Sequence, residues 1–485
     1  MEKRPNILFI FTDQQRADTM ACYGNSMIDT PNLNTLSSQS FVFENGYVSS
    51  PICTPSRSTI MTGLWPHTNG CFTNNTPLDD SVKTIADMLP ADYKTAYYGK
   101  WHLGNEVIRQ HGFDEWVSIE DLYREYYTDP EYYSVFSDYH HFLLDNGYKP
   151  DKRDENSDNS MVFSRSYAAG LPEEYTKAMF LGDQASKFIH DNRDEPFALY
   201  VNLFEPHPPY DGPFNDMYDP QSIPVSDAFM QNPPPNASLL HRLRAEECMA
   251  GYGFDEPSAR TSDEKYWRAL IARYWGLVTL VDKAVGTIMK ALDDAGIADN
   301  TIVVYSSEHG DQLGEHNIIQ KAVFYEQSVK VPMLMRVPWI TNSQTPISGR
   351  YSHIDTVPTL LELTGNDVPD HLQGTSRVPV LNGHESLDNN DVVIDWTGRT
   401  PTKSDKFKEL QRVQDLDHRI LISADGWKLN LGDGDRGELY DMNSDPTESV
   451  NLFDEPSHKD RIKDMESRIR SWQESTGDTA TLSGV

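Results

Sequence analysis

The sequence predicts an α/β protein. A large domain has a mostly parallel central sheet flanked by helices. A smaller C-terminal α+β domain carries a short antiparallel sheet. Three observations predict this. Short apolar runs alternate with helical segments through the first part of the chain. Four of those runs end in polar clusters rich in ligand or acid–base side chains. From about residue 375 onward the pattern changes to short β-like stretches divided by Gly/Asp turns.

The elements follow in order. Ile7–Phe11 reads as a buried strand that ends at Thr12-Asp13-Gln14-Gln15, and Phe41–Val48 as a second strand. Pro55 suits the first turn of a helix, which Ser56–Thr62 continues to Gly63. Tyr93–Tyr98 is a strand ending at Gly99-Lys100-Trp101-His102, and Phe197–Phe204 one ending at Glu205-Pro206-His207. Trp267, Leu270, Ile271, Tyr274, Val278, Val281, Val285, Ile288 and Leu292 recur at helical steps, and that helix stops at Gly296. Thr301–Tyr305 follows as a strand ending at Ser306-Ser307-Glu308-His309-Gly310. Val392–Trp396, Arg419–Ser423, Trp427–Leu431 and Glu438–Tyr440 are short strands, and Asp460–Trp472 is an amphipathic helix. The expected division is 1–375 and 376–485. Residues 117–172, rich in tyrosine, and 211–262, rich in Pro, Asn and Asp, read as insertions over a pocket or as surface loops.

Composition sets bounds. The chain has 485 residues, 38% hydrophobic, enough for a sizeable core and too many for disorder. Its 42 basic and 74 acidic residues leave a net charge of −32, which repels nucleic acid and anionic lipid. Neither nucleic acid nor membrane is therefore an expected partner. An anionic substrate would need a local island of positive charge. Four cysteines without a CxxC spacing argue against a zinc site or a disulfide framework. The apolar run Ile7–Phe11 is far shorter than the ~18 residues that span a bilayer. No export signal is read, so the expected compartment is the cytoplasm, or the periplasm or exterior where a leader has been removed.

In open α/β sheets, ligands collect beyond the carboxyl ends of the strands. Asp13-Gln14, Lys100/His102, His207 and Glu308-His309 each follow a predicted strand, which suggests one shared site. Cys53-Thr54-Pro55-Ser56-Arg57 adds a thiol at a helix start. Read by itself, Cys53 is a buried core cysteine or a thiolate activated by the helix N-terminus.

The pentapeptide resembles the C-x-P-S-R motif of the type I sulfatases, in the alkaline phosphatase superfamily. Thr62-Gly63 with Pro66-His67, Gly99-Lys100-Trp101-His102-Leu103-Gly104, and Pro206-His207-Pro208-Pro209-Tyr210 resemble further motifs of that family. So do Glu308-His309-Gly310-Asp311-Gln312-Leu313-Gly314-Glu315-His316, Lys321, Tyr325-Glu326, and the segment from Glu438-Leu439-Tyr440-Asp441 to Asn451-Leu452. The resemblance covers nearly the whole chain, in order, and implies an alkaline-phosphatase-like large domain.

The resemblance also implies roles. Cys53 would be oxidised by a formylglycine-generating maturation enzyme to formylglycine, whose hydrate attacks sulfur. Asp13, Gln14, Glu308, His309 and modified Cys53 would hold a divalent cation. Arg57 would stabilise the diol, and Lys100 and Lys321 would bind sulfate oxygens. His102 would be the base, His207 the acid that protonates the leaving alcohol, and Asn74 a donor to sulfate. His140, His141, Tyr210, Trp396 and Arg399 are read as structural or loop residues. The sequence departs from the usual pattern at Gln14 and Glu308, where aspartate is common, and at His309, where asparagine is frequent. The Gln and His variants resemble the branch with phosphonate monoester hydrolases and choline sulfatases. Calcium is the expected ion by family; the cluster has two carboxylates and an imidazole, which suits transition metals better, so manganese or magnesium is less excluded than usual. The expected activity is exo-acting hydrolysis of a sulfated carbohydrate, with segment 396–418 closing one side of the pocket. A phosphonate or phosphate diester hydrolase, and a silent metal- or glycan-binding relative, stay open as alternatives.

Overall fold

A computed structural model describes residues 4–154, 160–251, 261–398 and 408–482. The large sheet contains β1 (Asn6–Thr12), β2 (Phe41–Tyr47), β3 (Lys94–Gly99), β4 (Glu115–Val117), β5 (Phe197–Leu203), β6 (Thr301–Ser307), β7 (Met333–Arg336) and β8 (Thr345–Ser352). Their order is β8-β2-β7-β6-β1-β5-β3-β4, and the short strand Lys330–Val331 also pairs with β2. β6, β1, β5, β3 and β4 run parallel to one another, and β8 runs parallel to β2. β7 runs antiparallel between β2 and β6.

β1, β5 and β6 are buried on both faces and read as continuous apolar runs. Alternate residues supply two separate cores. Leu8, Ile10, Leu199, Val201 and Val303 face one side, and Ile7, Phe9, Phe11, Tyr200 and Val304 the other.

α1 (Cys53–Thr62) lies on the second side and ends at Gly63, with φ 67°. α2 (Lys177–Asp191) lies on the first side. α3 (Leu239–Met249) falls inside the segment read as a loop insertion. Its sequence, Leu-Leu-His-Arg-Leu-Arg-Ala-Glu-Glu, is too polar for a clear helical stripe. Ser238 caps it, and its Leu240 and His241 are buried against neighbouring elements. α4 (Glu264–Asp294) is the long predicted helix, and every residue of its predicted stripe is buried. It packs beside α2 over β1, β5 and β6. α5 (Thr356–Leu363) packs on the α1 side through Val357, Leu360 and Leu361.

The second sheet is β9 (Val392–Trp396), β10 (His418–Ile422), β11 (Trp427–Gly432) and β12 (Glu438–Asp441), antiparallel throughout. Ile394, Trp396, Ile420 and Ile422 pack against Val48 and Ile52, next to the start of α1. Val393, Leu421, Leu429 and Leu431 face the other way. They are covered by Ile462, Met465 and Ile469 of α6 (Lys459–Thr476). The segment 117–172 begins inside the sheet rather than beyond it, because Val117 pairs with Tyr98. Among the described residues, no helix is long and apolar enough to cross a membrane.

Candidate active site

Strand register builds the site. Thr12 lies opposite both Leu203 and Ser307, and Gly99 opposite Asn202. The next residues, Asp13, Lys100 and Glu308, and His207 a little further on, therefore emerge at one end of the sheet. Gly99 has φ 121°, and a Cβ there would sit 2.0 Å from the Asn202 carbonyl oxygen. Only glycine lets β3 turn so close to β5 and deliver Lys100 inward.

Cys53 opens α1 and is buried. Its Sγ lies 3.3 Å from His309 Nε2. His309 Nδ1 donates to the Gly310 carbonyl at 2.9 Å, which leaves Nε2 toward Cys53. Nε2 is also 3.0 Å from Glu308 Oε1 and 3.8 Å from Asp13 Oδ1. Donor atoms of Asp13, Cys53, Glu308 and His309 all lie within 4.8 Å of one another. Asp13 Oδ1 and both Glu308 carboxylate oxygens are buried and accept no well-aligned hydrogen bond. Arg57 meets one Glu308 oxygen, but Asp13 Oδ1 has no bonded donor, and a buried carboxylate oxygen left so is costly unless a cation meets it, so this donor set fits a divalent ion. Gln14 stands at its edge: Oε1 accepts from Lys321 Nζ at 2.7 Å, and Nε2 donates to Asp311 at 2.6 Å and to the Tyr210 hydroxyl at 3.0 Å. Gln14 is held at φ 78°, and the Tyr274 hydroxyl donates to its carbonyl at 2.7 Å.

Three permanent cations enter the cluster. Lys100 Nζ donates to Asp13 Oδ2 at 2.6 Å. Arg57 pairs with Glu308, lies 3.3 Å from Asp13, and donates to the Lys100 carbonyl and to Asn202. Lys321 Nζ is 3.9 Å from Asp13 Oδ1. Burial alone would raise the Asp13 carboxyl; Lys100, His207 and Lys321 outweigh it and hold it well below the ordinary range.

His102 and His207 are held neutral, whereas at His309 burial and Lys321 are outweighed by the neighbouring Cys53 and Glu308, which push the imidazole up to about 9. Burial, then Lys100 and Arg57, push His102 well below the usual imidazole value. Its Nε2 donates to Asn75 Oδ1 at 2.7 Å, while Nδ1 is buried without a partner. Its backbone turns at φ 57°, pinned by Glu106, which accepts from the His102 and Trp101 amides. Burial likewise pushes His207 down, Asp13 opposes this, and Lys321, Lys100 and Arg165 add to it. His207 Nδ1 donates to the Pro208 carbonyl at 2.8 Å. Asn74 Oδ1 accepts from the Thr54 amide at 3.0 Å, capping the first turn of α1.

Of the predicted residues, Asp13, Gln14, Cys53, Arg57, Lys100, His102, His207, Glu308, His309 and Lys321 thus share one buried neighbourhood, with Asn74 at its edge. His140 stacks on Phe136 and does not join them. Trp396 is fully buried beneath α1, and Arg399 lies outside the described residues, as does 399–407 of the predicted closing segment. Tyr210 is more than a loop residue, because its hydroxyl ties Gln14 to Asp311. Sequence reasoning also missed Asn202, Asp311, Asn75 and Tyr123. Asn202 carried one signal, a polar residue near the end of an apolar strand. A cavity of about 440 Å³ lined by Arg16, Tyr23, Phe229 and Trp275 contains none of the predicted residues.

Comparison with known proteins fits this geometry. The sulfatase family model matches residues 5–366, and a model described as N-sulphoglucosamine sulphohydrolase, C-terminal, matches residues 314–475. N-acetylglucosamine-6-O-sulfatase of Bacteroides thetaiotaomicron is 26% identical, over 96% of this chain and 85% of its own. The uncharacterized sulfatase YidJ of Escherichia coli is 29% identical, over 93% and 84%. Phosphonate monoester hydrolase from Silicibacter pomeroyi has the same fold, with a TM-score of 0.80 at 20% identity, covering 98% of this chain and 96% of that one. Fold and family match together place the chain among hydrolases of the alkaline phosphatase superfamily. Within that superfamily it belongs to the type I sulfatases, enzymes that hydrolyse sulfate esters.

Proposed function

We propose that this sulfatase removes sulfate from a carbohydrate, acting on terminal residues of oligosaccharides from a sulfated polysaccharide. The supporting observation is the convergence of Cys53, Asp13, Glu308 and His309 with Arg57, Lys100 and Lys321 in one buried cluster. The relatives named for N-acetylglucosamine-6-O-sulfate and ulvan chemistry support the carbohydrate class.

Cys53 is proposed as the formylglycine precursor, its hydrated aldehyde supplying the nucleophilic oxygen. A divalent cation, calcium by family with manganese or magnesium as alternatives, would be held by Asp13, Gln14, Glu308, His309 and residue 53, and would supply positive charge beside that oxygen. Arg57, one helical turn on, faces the same side of α1 as residue 53 and steadies its charge. Lys321, and Lys100 from its hold on Asp13, offset charge developing on the sulfate oxygens. His102 accepts a proton at Nδ1, since Asn75 keeps the other proton on Nε2. His207 carries a proton at Nε2 toward the leaving alcohol, its Nδ1–H being held by Pro208. The negative sulfate counters the cations that depress His207 and so favours the charged acid. Asn74 donates through Nδ2, its oxygen being engaged by α1. Residues 1–375 would carry this chemistry and 376–485 would wall the pocket, a reading that the packing of β9 and β10 against Ile52 supports.

The test is sulfate release from defined monosulfated and disulfated saccharides, with phosphate diesters and phosphonate monoesters alongside. Turnover of one saccharide class well above the phosphorus esters is expected. Preference for the phosphorus esters would transfer the assignment to the branch that Gln14 and His309 resemble. Turnover of none, by enzyme shown to carry converted residue 53, would leave a binding role.

A further inference from the structure

Arg165 is a charged side chain that the mechanism leaves unused. It belongs to the tyrosine-rich segment, and its guanidinium lies 5.1 Å from the ring centroids of both Tyr123 and Phe204. Lys100 Nζ lies against the same two rings, at 5.5 and 5.6 Å. Tyr123 stacks on His102 at 4.3 Å, and Phe204 packs on His207 at 4.8 Å. The two rings therefore form a wall shared by the proposed base, the proposed acid and two cations.

Glu120 is the sole carboxylate that pairs with both Arg165 and Lys177 among the described residues. Arg165 uses Nε and Nη2 on it, at 3.2 and 2.8 Å, so the Nη1 edge is not spent there. Glu205 lines the same cleft as Arg165, Lys177 and His207, but burial pushes it up to about 7 and weakens its charge. Asp211 also lines that cleft, one of its oxygens accepting from Asn215, and Arg165 is the guanidinium on the ring wall beside His207. Arg165 is the accessible member: its side chain is 23% exposed, against 8% for Lys177 and 1% for Glu120. The scissile sulfate already has Lys100 and Lys321.

We propose that Arg165 is a specificity-determining residue that binds a second anionic group, a carboxylate or another sulfate, on the leaving-group side of the substrate. A planar guanidinium clamped between two rings presents a fixed fork, the geometry suited to either oxyanion. This inference rests on the sulfatase reading but does not require the leaving group to be a sugar.

The experiment uses mature enzyme and three matched aryl sulfates: 3-carboxyphenyl sulfate, phenyl 1,3-disulfate and 3-carbamoylphenyl sulfate. The wild type should favour at least one anionic member over the carbamoyl one by about tenfold or more in kcat/KM, the scale of one hydrogen bond to a charged group. The carboxyl and disulfate arms tell which oxyanion is read. Arg165→Gln should cut that preference at least about tenfold, chiefly through KM for the anionic member. Arg165→Lys, which keeps the charge and Glu120's partner, should retain part of it. A wild type without preference, which needs no variant to fold, would overturn the proposal. So would Arg165→Gln with equal losses on all three substrates. Aryl turnover with no turnover of any saccharide would instead remove the carbohydrate reading and leave this one standing.

Discussion

Lys321→Ala isolates the cation with the fewest structural duties. Lys100 is fastened to Asp13 at 2.6 Å, and Arg57 is spread over Glu308, Asp13, Asn202 and the Lys100 carbonyl. Lys321 makes one hydrogen bond, 2.7 Å to Gln14, and stays 3.9 Å from the nearest Asp13 oxygen. Two of its three N–H groups therefore remain for a substrate oxygen. A preorganised donor of this kind is worth about 100-fold to 1000-fold in rate, or about 2.7–4 kcal/mol. The variant should lose at least about 100-fold in kcat/KM on an aryl sulfate. Its thermal unfolding should change little, because no carboxylate loses its bonded partner. Lys100→Ala is the contrast. It leaves Asp13 Oδ2 with only Arg57 at 3.3 Å, and stripping one partner from a buried ion pair costs about 3–5 kcal/mol. Initial rates and melting curves on both variants test the difference. A loss below about tenfold for Lys321→Ala, or one that tracks lost folded protein, would refute the assignment.

His207→Ala should depress turnover of alkyl sulfates far more than of activated aryl sulfates, which leave without a proton; equal losses would move the acid role elsewhere. Mass spectrometry of the Cys53 peptide, from a host with the maturation enzyme, should show the aldehyde and its hydrate. Unmodified cysteine with full activity would end that reading. Chelation should lower the melting temperature, since an ion at 100 times its Kd adds about 2.7 kcal/mol, and re-addition of calcium, manganese and magnesium ranks the ions. His353, buried against Ser306 at 2.9 Å, is pushed by burial down to about 3. It stays neutral in the fold while the unfolded chain takes up a proton below ~6.5, so stability falls by about 1.4 kcal/mol per unit as pH drops from there toward about 3. Urea midpoints between pH 6.5 and 4.5 should therefore flatten in His353→Gln by about one proton; an unchanged slope would contradict it.

What the sequence made legible, and what it hid, have physical causes. β1, β5 and β6 are buried on both faces, so each is an apolar run that a polar residue visibly ends. Those polar ends converge in the candidate site, and both were readable at once. α4 was readable because its 31 residues repeat one buried stripe. β8, with Pro346 and Gly349 in a largely half-exposed strand, has no such contrast. Nothing in Met333–Arg336 announces that β7 runs against its neighbours, because direction is set by the chain path rather than by composition. Among site residues, Asn75, Asn202 and Asp311 act by holding His102, Arg57 and Gln14. Such supporting groups have no spacing rule of their own. Tyr123 reaches His102 only because the segment after β4 folds back over the strand ends.

The cluster also explains how a strongly acidic chain handles an anion. Long-range repulsion from a net charge of −32 is screened beyond about 8 Å at physiological salt. Inside that distance only nearby, partly desolvated groups matter, and there Arg57, Lys100 and Lys321 outnumber Asp13 and Glu308. The two carboxylates are needed to keep those cations buried and ionised, and the cations keep Asp13 ionised in return. Asn202 and the Lys100 carbonyl fix the Arg57 guanidinium from behind, so its donors need not reorganise when charge develops. Neutral His102 and His207 sit within the same field. A negative group that enters it works against the cations on both rings, so a bound substrate would shift the proposed acid, His207, toward its charged form. The acidic exterior and the cationic interior are therefore compatible: the exterior governs approach, and the interior governs what is held and which proton moves.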